Sequence, residues 1–577
     1  MALGGRHSEY DGEVTDQFDP PRPWIRSYAE TVPHDLPEMS GSLMDLVADS
    51  AREYPTAPAL QFFGAVTSYA SLAEQIDRAA ATLRAEGVRK GDPVALVLPN
   101  CPQHIVAFYA ILRLGAVVVE HNPLYTPREL RKQFADHGAK HAIVWSNVVG
   151  TIQEFPVDLA VSTIISVDLT RAMPAYMRWA LRLPLPKLRA QRAQLTTRVR
   201  GAIPWQQAVA SDPLPQDVPG PETDDLAVIQ YTSGTTGDPK GASLTHRNLL
   251  ANATQARAWT PTVSRGEGTV VYAVLPMFHA YGLTLCLTYA MSQAARLVLF
   301  PKFDPDMVLQ VTKKHPATVL PAVPPIAERL LARARERGVS LEGTQIGVSG
   351  AMALGHELVV PWEEETGGML VEGYGLSECS PVLIVNPVGD TRRPGTIGLP
   401  LPGTECRVVD PDDPTIDVAQ GEPGELLVRG PQVFGGYYGR PEETERVFSE
   451  GWFRTGDIVE MDEDGYFAVV DRIKELIITG GFNVAPTEVE IALRQHPAIV
   501  DAAVVGLPSA AHGEEVVAAV VIEGSADDFD PEDARAFVKR VLTPYKAPRR
   551  FVVVDELPRS MIGKVLRRQV KEQLLAT

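Results

Sequence analysis

The stretch YTSGTTGDPKGASLTH, Tyr231 to His246, sets small and hydroxylated residues ahead of one lysine, Lys240. Glycine lets a backbone approach an anion closely, successive amides form a concavity that holds it, and hydroxyls such as those of Ser233, Thr235 and Thr236 add donors. The spacing is not that of the common phosphate loop, which requires GxxxxGK[ST]. Here Gly234 is followed by Gly237, and Lys240 by Gly241. Ahead of the stretch LAVIQYT reads as a strand, and after it HRNLLANATQARAW reads as a helix. The physics is that of a phosphate cradle, although composition alone describes a flexible surface loop equally well.

Outward from this stretch the chain is ordinary in content but acidic. A formal charge of -18 over 577 residues argues against nonspecific binding to nucleic acid, whose phosphates an acidic field repels. Cys101, Cys286, Cys379 and Cys406 are far apart and form no CxxC pair, so neither a zinc site nor a disulfide scaffold is indicated. A reducing cytoplasm fits them. The opening MALGGRHSEYDGEVTDQFDPPRPW has no apolar run to serve as a signal peptide, and no window is long and apolar enough to span a membrane. SLAEQIDRAAATLRAEG and HIVAFYAILRLG read as helices, PVALVLPN and AVVVEHNP as strands. Thr126-Pro127-Arg128-Glu129 reads as a capping box with proline at the first helical position. The alternation predicts α/β layers with parallel sheets. After Asp471 about a hundred residues read as a small α+β module.

One segment reverses the sign of the chain. Arg171, Arg178, Arg182, Lys187, Arg189, Arg192, Arg198 and Arg200 occur without an acid among them, interspersed with Met177, Trp179, Leu181 and Leu183. Such a segment suits either a solvated surface insertion, broken by Pro184 and Pro186, or a contact with anionic lipid.

The order of residues says more than their composition. YTSGTTGDPKG resembles the signature of the adenylate-forming superfamily, which comprises acyl-CoA synthetases, luciferases and the adenylation domains of peptide synthetases. VLPMFHAYG, EGYGLSECSP, WFRTGD, DRIKELIITGGFNVAPTEVE and PRSMIGKVLRR resemble further segments of that family, in its order and over nearly the whole chain. The resemblance implies a large N-terminal α/β domain over 41–470, behind a polar extension over 1–40. It also implies a hinge at 471–474 and a mobile α+β domain over 475–577. It implies a reaction in two halves: a carboxylate attacks the α-phosphate of Mg-ATP to give acyl-AMP and pyrophosphate, then a thiol, usually coenzyme A, displaces AMP.

Site residues follow from the same resemblance. Lys564 would bridge carboxylate and α-phosphate, Glu378 would bind Mg2+, and His279 would guard the acyl and thiol tunnels. Thr232, Ser233, Gly234, Thr235, Thr236, Gly237 and Lys240 would hold phosphates. Gly350, Ala351, Glu372, Gly373, Tyr374, Gly375, Ser377, Asp457, Val469 and Arg472 would hold the rest of ATP or AMP, Tyr374 on adenine and Asp457 on the ribose diol. The C-terminal domain would swivel about Lys474, and Gly480 and Gly481 would line the channel for coenzyme A. Taken singly, each of these is also an unremarkable loop or surface residue, and Cys379 reads as an inert packed thiol.

LPNCPQHIVAFYAILRLGAVVVEHNPLYTPRELRKQFADHGAK and GLSECSPVLIVNP look most like bacterial long-chain fatty acid-CoA ligases. ATVLPAVPPIAERLLA and GVSGAMAL are apolar and small, as an alkyl tunnel or an ordinary core would be. A fatty acyl-AMP ligase loading a carrier protein, a medium-chain or aryl-CoA ligase, and a nucleotide-binding protein without catalysis are the alternatives. The sequence leaves oligomer formation open, and a position on the inner face of the membrane follows only from the basic segment.

Overall fold

The computed structural model describes residues 22–232, 239–266, 268–479, 482–509, 513–526, 529–560 and 563–576. Ser233, Gly234, Thr235, Thr236 and Gly237, with Gly480 and Gly481, lie outside them.

Two sheets with crossover helices carry the large part of the chain. In the seven-stranded sheet the order is Ile203–Pro204, Thr163–Val167, His141–Trp145, Pro93–Val97, Val117–Glu120, Leu226–Thr232 and Lys240–Thr245. Every neighbour is parallel except the last pair, which is an antiparallel hairpin. The nine-stranded sheet has a parallel interior through Met369–Gly375, Ile346–Ser349, Val319–Ala322, Val270–Ala273 and Arg296–Leu299, with antiparallel strands at both ends. A third, antiparallel sheet of five strands ends in Trp452–Met461 and Phe467–Arg472. The architecture is α/β with a smaller α+β C-terminal part, as the alternation of periods predicts.

Local signals account for many boundaries. The Thr126 hydroxyl accepts from the Glu129 amide at 3.3 Å while Glu129 Oε2 accepts from the Thr126 amide at 2.8 Å. This box starts the helix Pro127–His137, which stops where Gly138 turns left-handed at φ 65°. Helix Pro102–Arg113 is buried all round but for its ends, as its unbroken apolar run requires.

Leu226–Thr232 and His246–Trp259 are the strand and helix expected on either side of the glycine-rich stretch, and Lys240–Thr245 adds a strand before the helix, pairing Thr232 with Lys240 and Tyr231 with Gly241. Residues 22–40, read as part of a polar extension, are anchored on the large domain. Trp24 is buried in its core, 6.1 Å from the ring of Phe467. A side chain on Gly465 would meet the Trp24 backbone at 2.5 Å, so glycine is required there.

The large core runs to Phe467, while Ile477, Val484, Val489, Leu493 and Val504 open a separate cluster beyond it. That second core closes under a five-stranded sheet, in which Gly513–Ile522 pairs antiparallel with Ile499–Ser509 and parallel with Arg550–Val553. Among the described residues no helix is long and apolar enough to cross a membrane.

Candidate active site

The site gathers where strand ends of the two large sheets meet the third sheet and the C-terminal module. Asp457 and Arg472 are opposite one another across the strands Trp452–Met461 and Phe467–Arg472. Register alone therefore brings Arg472 Nε to 2.8 Å from Asp457 Oδ1. Tyr374, from the strand Met369–Gly375, donates its hydroxyl to Asp457 Oδ2 at 2.5 Å. Asp457 is 1% exposed, so these donors replace the water that a buried carboxylate needs. A carboxylate oriented in this way can accept both hydroxyls of a ribose.

Glu378 lies on the turn Ser377–Cys379, buried, with Oε1 accepting from the Tyr437 hydroxyl at 2.9 Å. Burial raises its pKa, against the lowering effect of its hydrogen bonds and of Arg472. Among the described residues no group of three or more potential ligands gathers around it. One hard carboxylate fits an ion that arrives with its phosphates and keeps waters, as Mg2+ does. The ring of Tyr437 also lies under Lys240, whose ammonium is 5.3 Å from the centroid and paired with Glu443. Gly241 follows because the neighbouring strand leaves no room: a Cβ would meet Ile229 Cγ2 at 2.6 Å.

A second group surrounds His279. Gln230 Nε2 donates to the Phe278 carbonyl at 2.8 Å, and His279 Nδ1 accepts from the Tyr281 amide at 3.3 Å. Burial, with the charge of Lys564, pushes the imidazole down to about 4, so it is neutral at ordinary pH. The helix that follows contains a π-helical turn, Leu283–Thr288, of the kind enriched at functional sites. Gly350 faces the Tyr281 ring, where a Cβ would sit 3.1 Å from it, and Ala351 takes a left-handed φ of 63°. Glu372, in register with Ser349, accepts from the Leu354 amide at 3.2 Å, and burial pushes its carboxyl up to about 8.

Lys564 closes the site from the C-terminal module. Its turn is built by Ser560, whose amide donates to the Lys564 carbonyl at 2.7 Å and whose hydroxyl accepts from the Lys564 amide at 3.1 Å. Gly563, at φ 82°, rests against Pro325 at the start of helix Pro324–Arg337, so the module's turn sits on the large domain. Burial first, then repulsion by Arg472, pushes the Lys564 ammonium down to about 8, with Glu475 and Asp457 opposing. Arg472, Asp457 and Tyr374 thus form one hydrogen-bonded group, with Lys564 near enough to feel the charges of Arg472 and Asp457 and to act on His279. Val469 does not join them: it is exposed, opposite Val459 on the strand that carries Arg472.

Several contributors escaped the sequence reading. Arg567 grips both sides of the junction, meeting Asp471 at 3.7 Å, Glu490 at 2.7 Å, Thr487 at 2.6 Å, and Glu475. The backbone of Lys474 lies between, in the short helix Ile473–Glu475. Tyr437, Arg440 and Glu443 come from GGYYGRPEETE, and their partners Glu378, Asp136 and Lys240 lie in other elements. Cys379 is buried with its thiol pKa raised well above the usual value, in keeping with a packed, inert group.

Comparison with known proteins matches the model of the AMP-binding enzyme family to residues 47–438, and that of the AMP-binding enzyme C-terminal domain to 488–564. A long-chain-fatty-acid–CoA ligase of Bacillus subtilis is 37% identical over 558 residues, covering 96% of this chain and 98% of its own. One of Escherichia coli O157:H7 is 37% identical over 560 residues, at 95% and 98% coverage. Among solved structures, ATP-bound MatB from Rhodopseudomonas palustris superposes with a TM-score of 0.80 at 31% identity, covering 93% of this chain and 99% of that one. The anthranilate CoA ligase AuaEII in complex with anthranoyl-AMP gives 0.80 at 25% identity, over 94% and 99%.

Proposed function

Since this chain belongs to the AMP-binding enzyme family, we propose that it is an AMP-forming fatty acid-CoA ligase. It activates a long-chain fatty acid with Mg-ATP as acyl-AMP, releasing pyrophosphate, and then passes the acyl group to coenzyme A. The long-chain assignment draws on the relatives of that name, which align over nearly the full chain. The observation that carries the site reading is the convergence of the Lys564 ammonium, delivered by the small module, with Asp457, Arg472 and His279. Two anions must meet at the α-phosphate, and a cation fixed between them stabilises the charge that develops there. Glu378 is the carboxylate that would take the Mg2+ of the nucleotide, and Asp457 the ribose acceptor. Beside Gly350, burial pushes the Glu372 carboxyl up to about 8, which disfavours the charge that would hold an amino-acid ammonium. An apolar acyl group suits such surroundings, each buried methylene contributing about 0.8 kcal/mol.

The junction at 471–474 is the hinge about which the module swings to withdraw Lys564 and admit the thiol. The chain works in the cytoplasm, against the inner face of a membrane. Segment 171–200 meets anionic lipid there. Thioester formation with Mg-ATP and coenzyme A, measured across saturated acids from acetate to stearate and across benzoates, tests the substrate. Activity should peak among the long saturated acids. A profile peaking at short or aromatic acids would overturn the assignment, and acyl-AMP accumulating without thioester would favour a carrier-loading ligase.

A further inference from the structure

Lys240 is bound before any nucleotide reaches it. Its backbone is pinned by pairing with Thr232, its side chain is mostly buried, and its ammonium is paired with Glu443 over the ring of Tyr437. The hydroxyl of that same ring donates to Glu378. Glu443 holds a second cation: Arg440 Nη1 lies 3.0 Å from its Oε1. Arg440 is fixed in turn by Asp136 at 2.8 Å, and Asp136 by the Tyr231 hydroxyl at 2.7 Å. The chain of contacts thus runs from the strand before the glycine-rich stretch, through helix Pro127–His137, to the short helix Pro441–Glu445.

We propose that Glu443 parks the Lys240 ammonium, and that Mg-ATP binds by taking this lysine from a carboxylate of the protein itself. The inference rests on the ligase reading and adds a residue that sets nucleotide affinity. The exchange is feasible because neither charge is stranded. Lys240 passes from one anion to another, while Glu443 keeps Arg440, so no partly buried carboxylate is left alone at the cost such a charge incurs. The Lys240 hydrogen bond, assisted by Arg440, holds the Glu443 carboxyl below its usual range, so it competes with phosphate as a full anion at neutral pH. The same competition works in reverse after adenylation, when Glu443 reclaims Lys240 and helps pyrophosphate leave.

Calorimetric titration of Mg-ATP and of pyrophosphate into wild type and Glu443→Gln tests this. Both ligands should bind the variant about two- to fivefold more tightly, the range expected for removing one partly exposed ionic competitor. KM for ATP should fall while KM for the fatty acid stays, and kcat should hold or drop as pyrophosphate release slows. Glu442→Gln, at a residue paired with Arg446 at 3.8 Å and not with Lys240, should titrate as wild type. In a Lys240→Ala background the gain should vanish. Glu443→Ala provides a second variant should the glutamine misfold. Unchanged or weaker binding in both Glu443 variants would overturn the proposal, and so would a gain that persists without Lys240. Wild type that bound no Mg-ATP would bring down the ligase reading itself, and this inference with it.

Discussion

The cations around Lys564 and those between Arg171 and Arg200 are treated oppositely by the fold. At the domain junction the guanidinium groups are answered by carboxylates, Arg472 by Asp457 and Arg567 by Glu475, Glu490 and Asp471. In the basic segment Arg182, Lys187, Arg189, Arg192, Arg198 and Arg200 are exposed, and among the described residues the ion pair formed there is Arg171 with Asp168, at 3.8 Å. The segment is nevertheless held in place. Leu181 is buried, and the carbonyls of Ala193, Leu195 and Arg200 accept from Asn147, Trp145 and Gln153. A desolvated cation is costly and persists only where something repays it. Exposed cations cost nothing and act through the summed field they present to a large anionic partner. The first arrangement suits chemistry on a small molecule, and the second suits either solvent or, as proposed, an anionic surface.

The sharpest break in that contrast comes from deleting the junction's central charge. Lys564→Ala should lower ATP–pyrophosphate exchange by roughly 10²–10³-fold, the scale for losing one preorganised donor to a transition state. Thioester formation from supplied acyl-AMP and coenzyme A should survive in it. Lys474→Pro should reverse the pattern, since proline stiffens the backbone on which the module would turn. Exchange near wild type in the alanine variant would remove Lys564 from the chemistry, and equal loss of both half-reactions in the proline variant would remove the hinge.

A second, smaller effect follows from the enclosure itself. Burial and Arg472 bring Lys564 to about 8, so its ammonium is present below that pH and lost above it. In the exchange reaction kcat/KM for Mg-ATP reports the free enzyme, and it should fall about tenfold per pH unit on the alkaline side. Bound nucleotide is anionic and favours the charged form, so kcat should hold to higher pH. His279, at about 4, stays neutral throughout and adds nothing to that limb. Lys564→Arg retains the charge and should abolish the limb. Were the limb to persist in this variant, another group would be titrating.

The contrast also shows which kinds of information the sequence holds. Repeating apolar periods and the Thr126–Glu129 box are local, and the elements they predict are present. The strand Lys240–Thr245 is not local: KGASLT has little β-branched content and becomes a strand by pairing with Leu226–Thr232. Trp24 looked like part of a polar lead-in because Phe467 and Gly465, which bury it, lie more than four hundred positions away. Tyr437, Arg440, Glu443 and Arg567 carry no mark of their role in the sequence for the same reason. Their partners Glu378, Asp136, Lys240 and Asp471 come from other elements, and only packing joins them. The order of the motifs, by contrast, survives in one dimension, which is why the reaction class was legible before any of this geometry.

The smallest expected effect tests the exposed half of the comparison. Tyr176 and Trp179 are 71% and 69% exposed on the short helix Ala175–Ala180 that carries Arg178, and Leu185, 54% exposed, caps the helix Pro186–Leu195 that carries Arg189 and Arg192. An interfacial contact needs both features, apolar rings to enter the headgroup layer and cations to meet its charge. A basic residue near an anionic bilayer contributes about 1 kcal/mol, so Arg189→Gln or Arg192→Gln should each weaken co-sedimentation with phosphatidylglycerol vesicles by about fivefold. High salt should erase that difference, because exposed charges are screened. Trp179→Ala should weaken binding while leaving the salt dependence in place. Vesicles of phosphatidylcholine alone should retain little protein, and exchange activity on a dispersed acid should be the same in all the variants. Wild type that stayed in the supernatant with anionic vesicles would return the segment to the solvated insertion that its prolines also describe, and the unanswered charges would then need no partner at all.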